Sequence, residues 1–168
     1  MSARAHQHDT STSPGPIRRR SGMAPPAPLL LGLAGLIPFV VCTGALFVTD
    51  AAAQELIWRL LIGYGSVIVS FVGALHWAFA MGNTDGADRM GWILYGWSVV
   101  PALLGWLALG LRSHTAAVLV LIVGFVLQFL FDSRQSRFLH LPRWFLRLRG
   151  LLSSVAVLCL AIAGASFP

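Results

Sequence analysis

Polar and apolar positions alternate along this chain on a scale of whole helices, not of strands or amphipathic faces. After a polar stretch covering 1–28, apolar runs occupy about 29–48, 56–81, 91–111, 115–131 and 149–167. Each run is long enough to cross the hydrocarbon of a bilayer, which takes about 20 apolar residues in helical form. The runs are apolar all round, so they do not read as surface helices of a soluble domain, which keep one polar face. The pattern predicts an all-α membrane protein, a compact bundle of five transmembrane helices over 29–168. The basic segment 1–28, rich in Ser, Thr, Pro and Arg, is too poor in apolar residues to fold and is expected to be disordered.

Within the runs, small and polar residues fall at helical spacing. Gly32, Gly35 and Pro38 follow at intervals of three in the first span, predicting close helix approach and a kink. The second span carries Gly63, Ser66, Ser70, Gly73 and Trp77 on one narrow arc, with His76 about a quarter turn aside. That stripe is the expected seam for the other helices. Tyr95, Ser98, Ala102 and Gly105 share a face of the third span, which also contains Pro101. Gly124, Gln128 and Asp132 share a face of the fourth. The segment from Leu141 to Leu146, basic and aromatic together, suits the headgroup plane before the last helix begins.

Composition agrees with the spans. Of 168 residues 57% are hydrophobic and 11% charged, less than half the charged share of a soluble domain. The net charge of +6 does not point to nucleic acid, because the arginines sit in the connections between apolar runs. With the amino terminus inside, ten of the twelve basic residues lie on the inner side and only Arg59 and Arg112 outside. The positive-inside rule therefore places the amino terminus in the cytoplasm and the carboxyl terminus in the periplasm of a bacterial inner membrane. A mitochondrial inner membrane is the alternative, since the amino-terminal composition also fits a transit peptide. Arg134, Arg137, Arg143, Arg147 and Arg149 are expected to face anionic lipid headgroups. The expected partners are the bilayer and a further membrane protein, with no nucleic acid.

In that orientation His76, Trp77, Ser70, Tyr95, Ser98, Gln128 and Asp132 form a candidate polar layer, most of it in the inner half of the bundle. Polar side chains in a membrane are costly and face the interior, where they find partners. No phosphate loop, paired-histidine metal spacing or nucleophile–base motif occurs in the chain, and Cys42 and Cys159 read as buried thiols. No catalytic residue, metal or cofactor is therefore expected, and the first expectation is a non-enzymatic bundle for assembly or partner binding. Two alternatives stand beside it. One is a small solute or proton-coupled transporter, because histidine is the side chain that changes charge near neutral pH. There Asp132 with Arg147 or Arg149 would form a switchable pair, and Pro38 and Pro101 would break the helices around the site. The other is a lipid-acting enzyme with His76 as base, which lacks an orienting partner in the sequence.

Several motifs occur here in order: Gly35-Leu-Ile-Pro38-Phe39, the stretch Tyr64 to Met81, Trp97-Ser98-Val-Val-Pro101 through Trp106, Gly124 to Asp132, and Pro142-Arg-Trp144-Phe-Leu-Arg147-Leu-Arg149. Together they resemble the transmembrane protein 69-like family, bacterial and mitochondrial membrane proteins with a domain of unknown function. The resemblance runs from Leu29 onward and implies a multi-span membrane domain. It also implies that His76-Trp77 and Asp132 belong to the family's pattern, and it brings no activity, cofactor or catalytic residue with it.

Overall fold

The structure is a computed structural model that describes residues 24–83, 88–139 and 141–167. Among these the backbone forms six helices: α1 (Pro26–Ala34), α2 (Ile37–Leu46), α3 (Ala51–Asn83), α4 (Arg89–Gly110), α5 (His114–Gln135) and α6 (Arg143–Ser166). With α1 and α2 taken as one broken span, five segments are long and apolar enough to cross a membrane. The five-span helical architecture expected from the apolar runs is thus the observed one.

The first span is broken where proline chemistry requires it. Pro38 has no N–H for the carbonyl four residues earlier and its ring crowds that carbonyl. α1 accordingly ends at Ala34, and Gly35 and Leu36 form a turn before α2 starts. The Tyr64 hydroxyl donates to the Gly35 carbonyl at 2.8 Å, pinning the break to α3. The helix starts are set by side-chain caps. Asp50 accepts from Ala53 N–H at 2.9 Å, Asp88 from Gly91 N–H at 2.8 Å, and Ser113 from Ala116 N–H at 3.3 Å. Pro142 stands just before α6, where its missing N–H and fixed φ cost nothing.

Two boundaries differ from the sequence reading. Pro26 to Pro28, assigned to the disordered tail, already belong to α1, while residues 1–23 of that tail lie outside the described residues. The segment from Leu141 to Leu146, expected in the headgroup plane before the last helix, already enters that helix, which runs from Arg143 to Ser166. Its residues are strong helix formers behind a proline, so nothing stops the helix from starting there.

α3 organises the bundle, packing against α2, α4 and α5. In lipid no hydrophobic gain drives helices together, so close fit of small residues does it. Gly73 receives Pro101 of α4: a Cβ at Gly73 would lie 2.7 Å from the Pro101 Cγ. Gly105 of α4 sits against the Ser66 carbonyl, with 2.8 Å left for a Cβ. Gly65 faces Leu121 and Gly124 faces Val69, bringing α5 onto the adjoining side of α3. The larger core gathers around Phe39, Leu61, Val69, Leu121, Phe125 and Leu160. A smaller one, Ala80, Leu94 and Leu139, lies at the end where α3 and α5 finish and α4 and α6 begin.

Candidate functional site

At that same end, three helices each deliver polar side chains into the interior. α3 supplies His76, α5 supplies Gln128 and Asp132 one turn apart, and α6 supplies Arg149. Their exposures are 1% for His76, 0% for Gln128, 2% for Asp132 and 8% for Arg149. Four such groups buried together must satisfy one another, because isolated buried charges are expensive.

Asp132 is the hub. Its Oδ2 accepts from Arg149 Nε at 2.9 Å and lies 2.7 Å from Arg149 Nη2, so both nitrogens of one guanidinium edge converge on a single oxygen. Its Oδ1 lies 2.9 Å from His76 Nε2, close in distance but off the alignment of a good hydrogen bond. On the other side of the ring, Gln128 Nε2 is 3.1 Å from His76 Nδ1. A proton on Nδ1 would be donated to the Gly73 carbonyl, 3.3 Å away, whereas a proton on Nε2 lets Nδ1 accept from the Gln128 amide and turns Nε2–H toward the carboxylate. The same amide is 3.5 Å from the Val72 carbonyl. In this state the carboxylate and guanidinium compensate each other and the cluster carries no net charge.

Aromatic side chains enclose it. Phe131 meets the His76 ring edge-on at 5.1 Å between centroids, and Phe79 does so at 5.8 Å. Trp97 of α4 stacks on Phe131 at 4.4 Å with planes 10° apart. Three buried atoms in and around the cluster have no hydrogen-bond partner among the described residues: His76 Nε2, Trp97 Nε1 and Gln128 Oε1. Among the described residues no three of His, Cys, Asp and Glu converge as metal ligands.

Of the seven residues expected in a polar layer, the structure brings His76, Gln128 and Asp132 together. Ser70 and Ser98 do not join them: each hydroxyl donates to a carbonyl of its own helix, Ser70 to Ser66 at 2.7 Å and Ser98 to Tyr95 at 2.6 Å. Trp77, expected in the interior, is 51% exposed and stacks edge-on with Tyr95 on the outside of the α3–α4 seam. Of the two arginines named as partners for Asp132, Arg147 or Arg149, it is Arg149 that makes the pair. Its expected place among the headgroup-facing arginines does not hold, whereas Arg134, Arg137, Arg143 and Arg147 are exposed. One signal in the sequence marks it as different. Arg149, Ala156 and Ala163 recur every seven residues, and all three are buried on the inner face of α6.

A second ionic group lies at the opposite end of the bundle. Glu55 pairs with Arg59 at 2.9 Å and approaches His114 Nε2 at 3.4 Å, while Trp58 stacks on the His114 ring. These groups are partly or largely exposed, and such pairs contribute little.

Comparison with known proteins adds the following. The family described as "Protein of unknown function (DUF3429)" matches residues 24–165. The chain is similar to a protein named transmembrane protein 69 from Xenopus tropicalis, with 38% identity over 138 residues. That match covers 82% of this chain and 53% of the relative, so the chain spans about half the length of that curated relative. No solved structure matches.

Proposed function

The chain belongs to the DUF3429 family of proteins of unknown function, and on that footing we propose that it is a non-enzymatic membrane bundle serving assembly or the binding of a partner within the bilayer. The observation that carries this reading is the closed charge balance at Asp132. One carboxylate oxygen is held by Arg149 and the other faces His76 Nε2 at 2.9 Å, from two different helices and within a buried site. Such an arrangement acts as a clamp on α3, α5 and α6. A reacting base needs a free lone pair aimed at substrate, whereas the His76 nitrogens face Gln128 and Asp132. Enzymatic action on lipid is for the same reason the least supported reading.

A second reading is favoured by one specific observation. Gln128 Oε1 beside His76, and Trp97 Nε1 on the ring stacked against Phe131, are buried without partners among the described residues, and spare donors and acceptors near a buried histidine are what a small polar solute or a proton path would use. Reconstituted vesicles separate the two. The clamp reading expects no proton or solute flux above protein-free vesicles, and His76→Asn to lower thermal stability alone. A flux that vanishes in His76→Asn would overturn it in favour of transport.

The membrane we propose is a bacterial inner membrane, with the amino terminus cytoplasmic. Ten of the twelve arginines support that orientation. The exposed Arg134, Arg137, Arg143 and Arg147 then meet anionic headgroups of the inner leaflet. A mitochondrial inner membrane is the alternative address.

A further inference from the structure

A cavity of about 430 Å³ opens between α1–α2, α3 and α6, within the range of about 300–1,000 Å³ typical of small-molecule sites. It exists because the first span is broken. α1 packs against α6 beyond the Gly35–Leu36 turn, leaving space between itself and α3. Leu31, Phe39, Leu75 and Leu152 contribute to walls that are almost wholly apolar. Along α6 the lining runs from Trp144 to Ala156, about 18 Å of helix, so the cavity is elongated along the bundle axis.

Its polar features are gathered toward one end. Arg149 is part of the wall, with Nε and Nη2 held by Asp132 while Nη1 donates to no described residue. A guanidinium has five N–H donors, so donors without a partner among the described residues remain on a side chain that is about nine-tenths buried and borders the cavity. About 9 Å nearer the helix start stands Arg143, and Arg147 follows it one turn on. Both are exposed, each one residue before a lining residue, Trp144 and Leu148 respectively, on the part of α6 where the lining begins.

We propose that this cavity is a binding site for a single anionic phospholipid of the surrounding bilayer. One acyl chain lies along the apolar walls, a phosphate or ester oxygen accepts from Arg149 Nη1, and the headgroup rests against Arg143 and Arg147. The occupant must be apolar over most of its length, carry an acceptor at one end and be negatively charged there. A bilayer supplies that molecule in the orientation the cavity has. This site goes beyond the clamp: it uses the donors of Arg149 that Asp132 leaves free.

The full chain, purified into nanodiscs of equal phosphatidylglycerol and phosphatidylcholine with identical acyl chains, is released and weighed by native mass spectrometry. One retained phosphatidylglycerol per chain is expected, several-fold over phosphatidylcholine. Leu152→Trp and Leu75→Trp, which fill the cavity from opposite walls, should each lose the retained lipid. Arg143→Gln combined with Arg147→Gln should bring the two lipids to equal retention. The proposal is overturned if the wild type retains no lipid, retains both lipids equally, or holds a second protein copy or a non-lipid molecule instead. It is also overturned if either tryptophan variant keeps the lipid with helicity unchanged by circular dichroism.

Discussion

Gly73 and Pro101 fit as a notch and its peg. The proline ring lies so close to the Gly73 backbone that a Cβ there would sit 2.7 Å from Cγ and 2.8 Å from Cβ of the ring. Pro101 thus turns a residue that weakens helices into a packing element. It is buried in an uninterrupted helix, and its ring can neither rotate away nor be replaced by a longer flexible chain.

Gly73→Ala should therefore separate α3 from α4 and lower stability by about 1–3 kcal/mol, the usual cost of overpacking. Gly96 is the internal control. Nothing lies within 4 Å of a Cβ built there, and Gly96→Ala should leave stability unchanged or slightly raised. Thermal unfolding of both variants in the same detergent makes the comparison. Equal midpoints would show that the notch is not tight.

Removing one member of the buried ion pair should cost more than removing both. Arg149→Met leaves the Asp132 carboxylate buried and uncompensated, with an expected loss of about 3–5 kcal/mol. Asp132→Asn added to Arg149→Met removes the orphaned charge and should recover part of that loss. Additive effects in a double-mutant cycle would mean that the two side chains do not act as a pair.

At the break in the first span, Tyr64→Phe deletes the hydroxyl that donates to the Gly35 carbonyl. The expected loss is about 0.5–1.5 kcal/mol. Hydrogen exchange at the α1–α2 turn should quicken in the variant, and an unchanged exchange rate there would remove Tyr64 as the pin.

Five spans and an inner amino terminus require an outer carboxyl terminus. A reporter active only in an oxidising compartment, fused after Pro168, should fluoresce or turn over substrate. The same reporter placed before Met1 should be silent. Activity in the reverse pattern would invert the orientation.

Much of the fold was legible because its determinants are local. The length of an apolar run fixes a span, and Pro38 fixes a break two to three residues before itself. The arc of Ser66, Ser70 and Gly73 marks the α3–α4 seam, since only small residues let two backbones approach. The ends of that arc behave differently: Gly63 has open space around it and Trp77 faces outward. Periodicity assigns a face but not where along the helix the partner stops.

The composition of the polar cluster was legible in part. His76, Gln128 and Asp132 stand out as polar residues in apolar runs, and depth places them at one level. The sequence offers Arg147 or Arg149 as the partner of Asp132 but does not choose between them, because it places the start of α6 at residue 149. Once α6 begins at Arg143, residue 149 is more than a turn inside the helix and must point inward or snorkel. The rotational position that decides between the two is set by contact with α5, which no single helix records.

The cluster also imposes an order on biosynthesis. A chain made from its amino terminus inserts α3 with His76 first, then α5 with Gln128 and Asp132, and only last α6 with Arg149. Between those last two events Asp132 has no cation to balance it, so a nascent chain stalled before α6 carries a bare carboxylate in a half-built bundle. The closing helix thus brings the counter-charge: one guanidinium near its start balances the carboxylate that α5 carries into the interior.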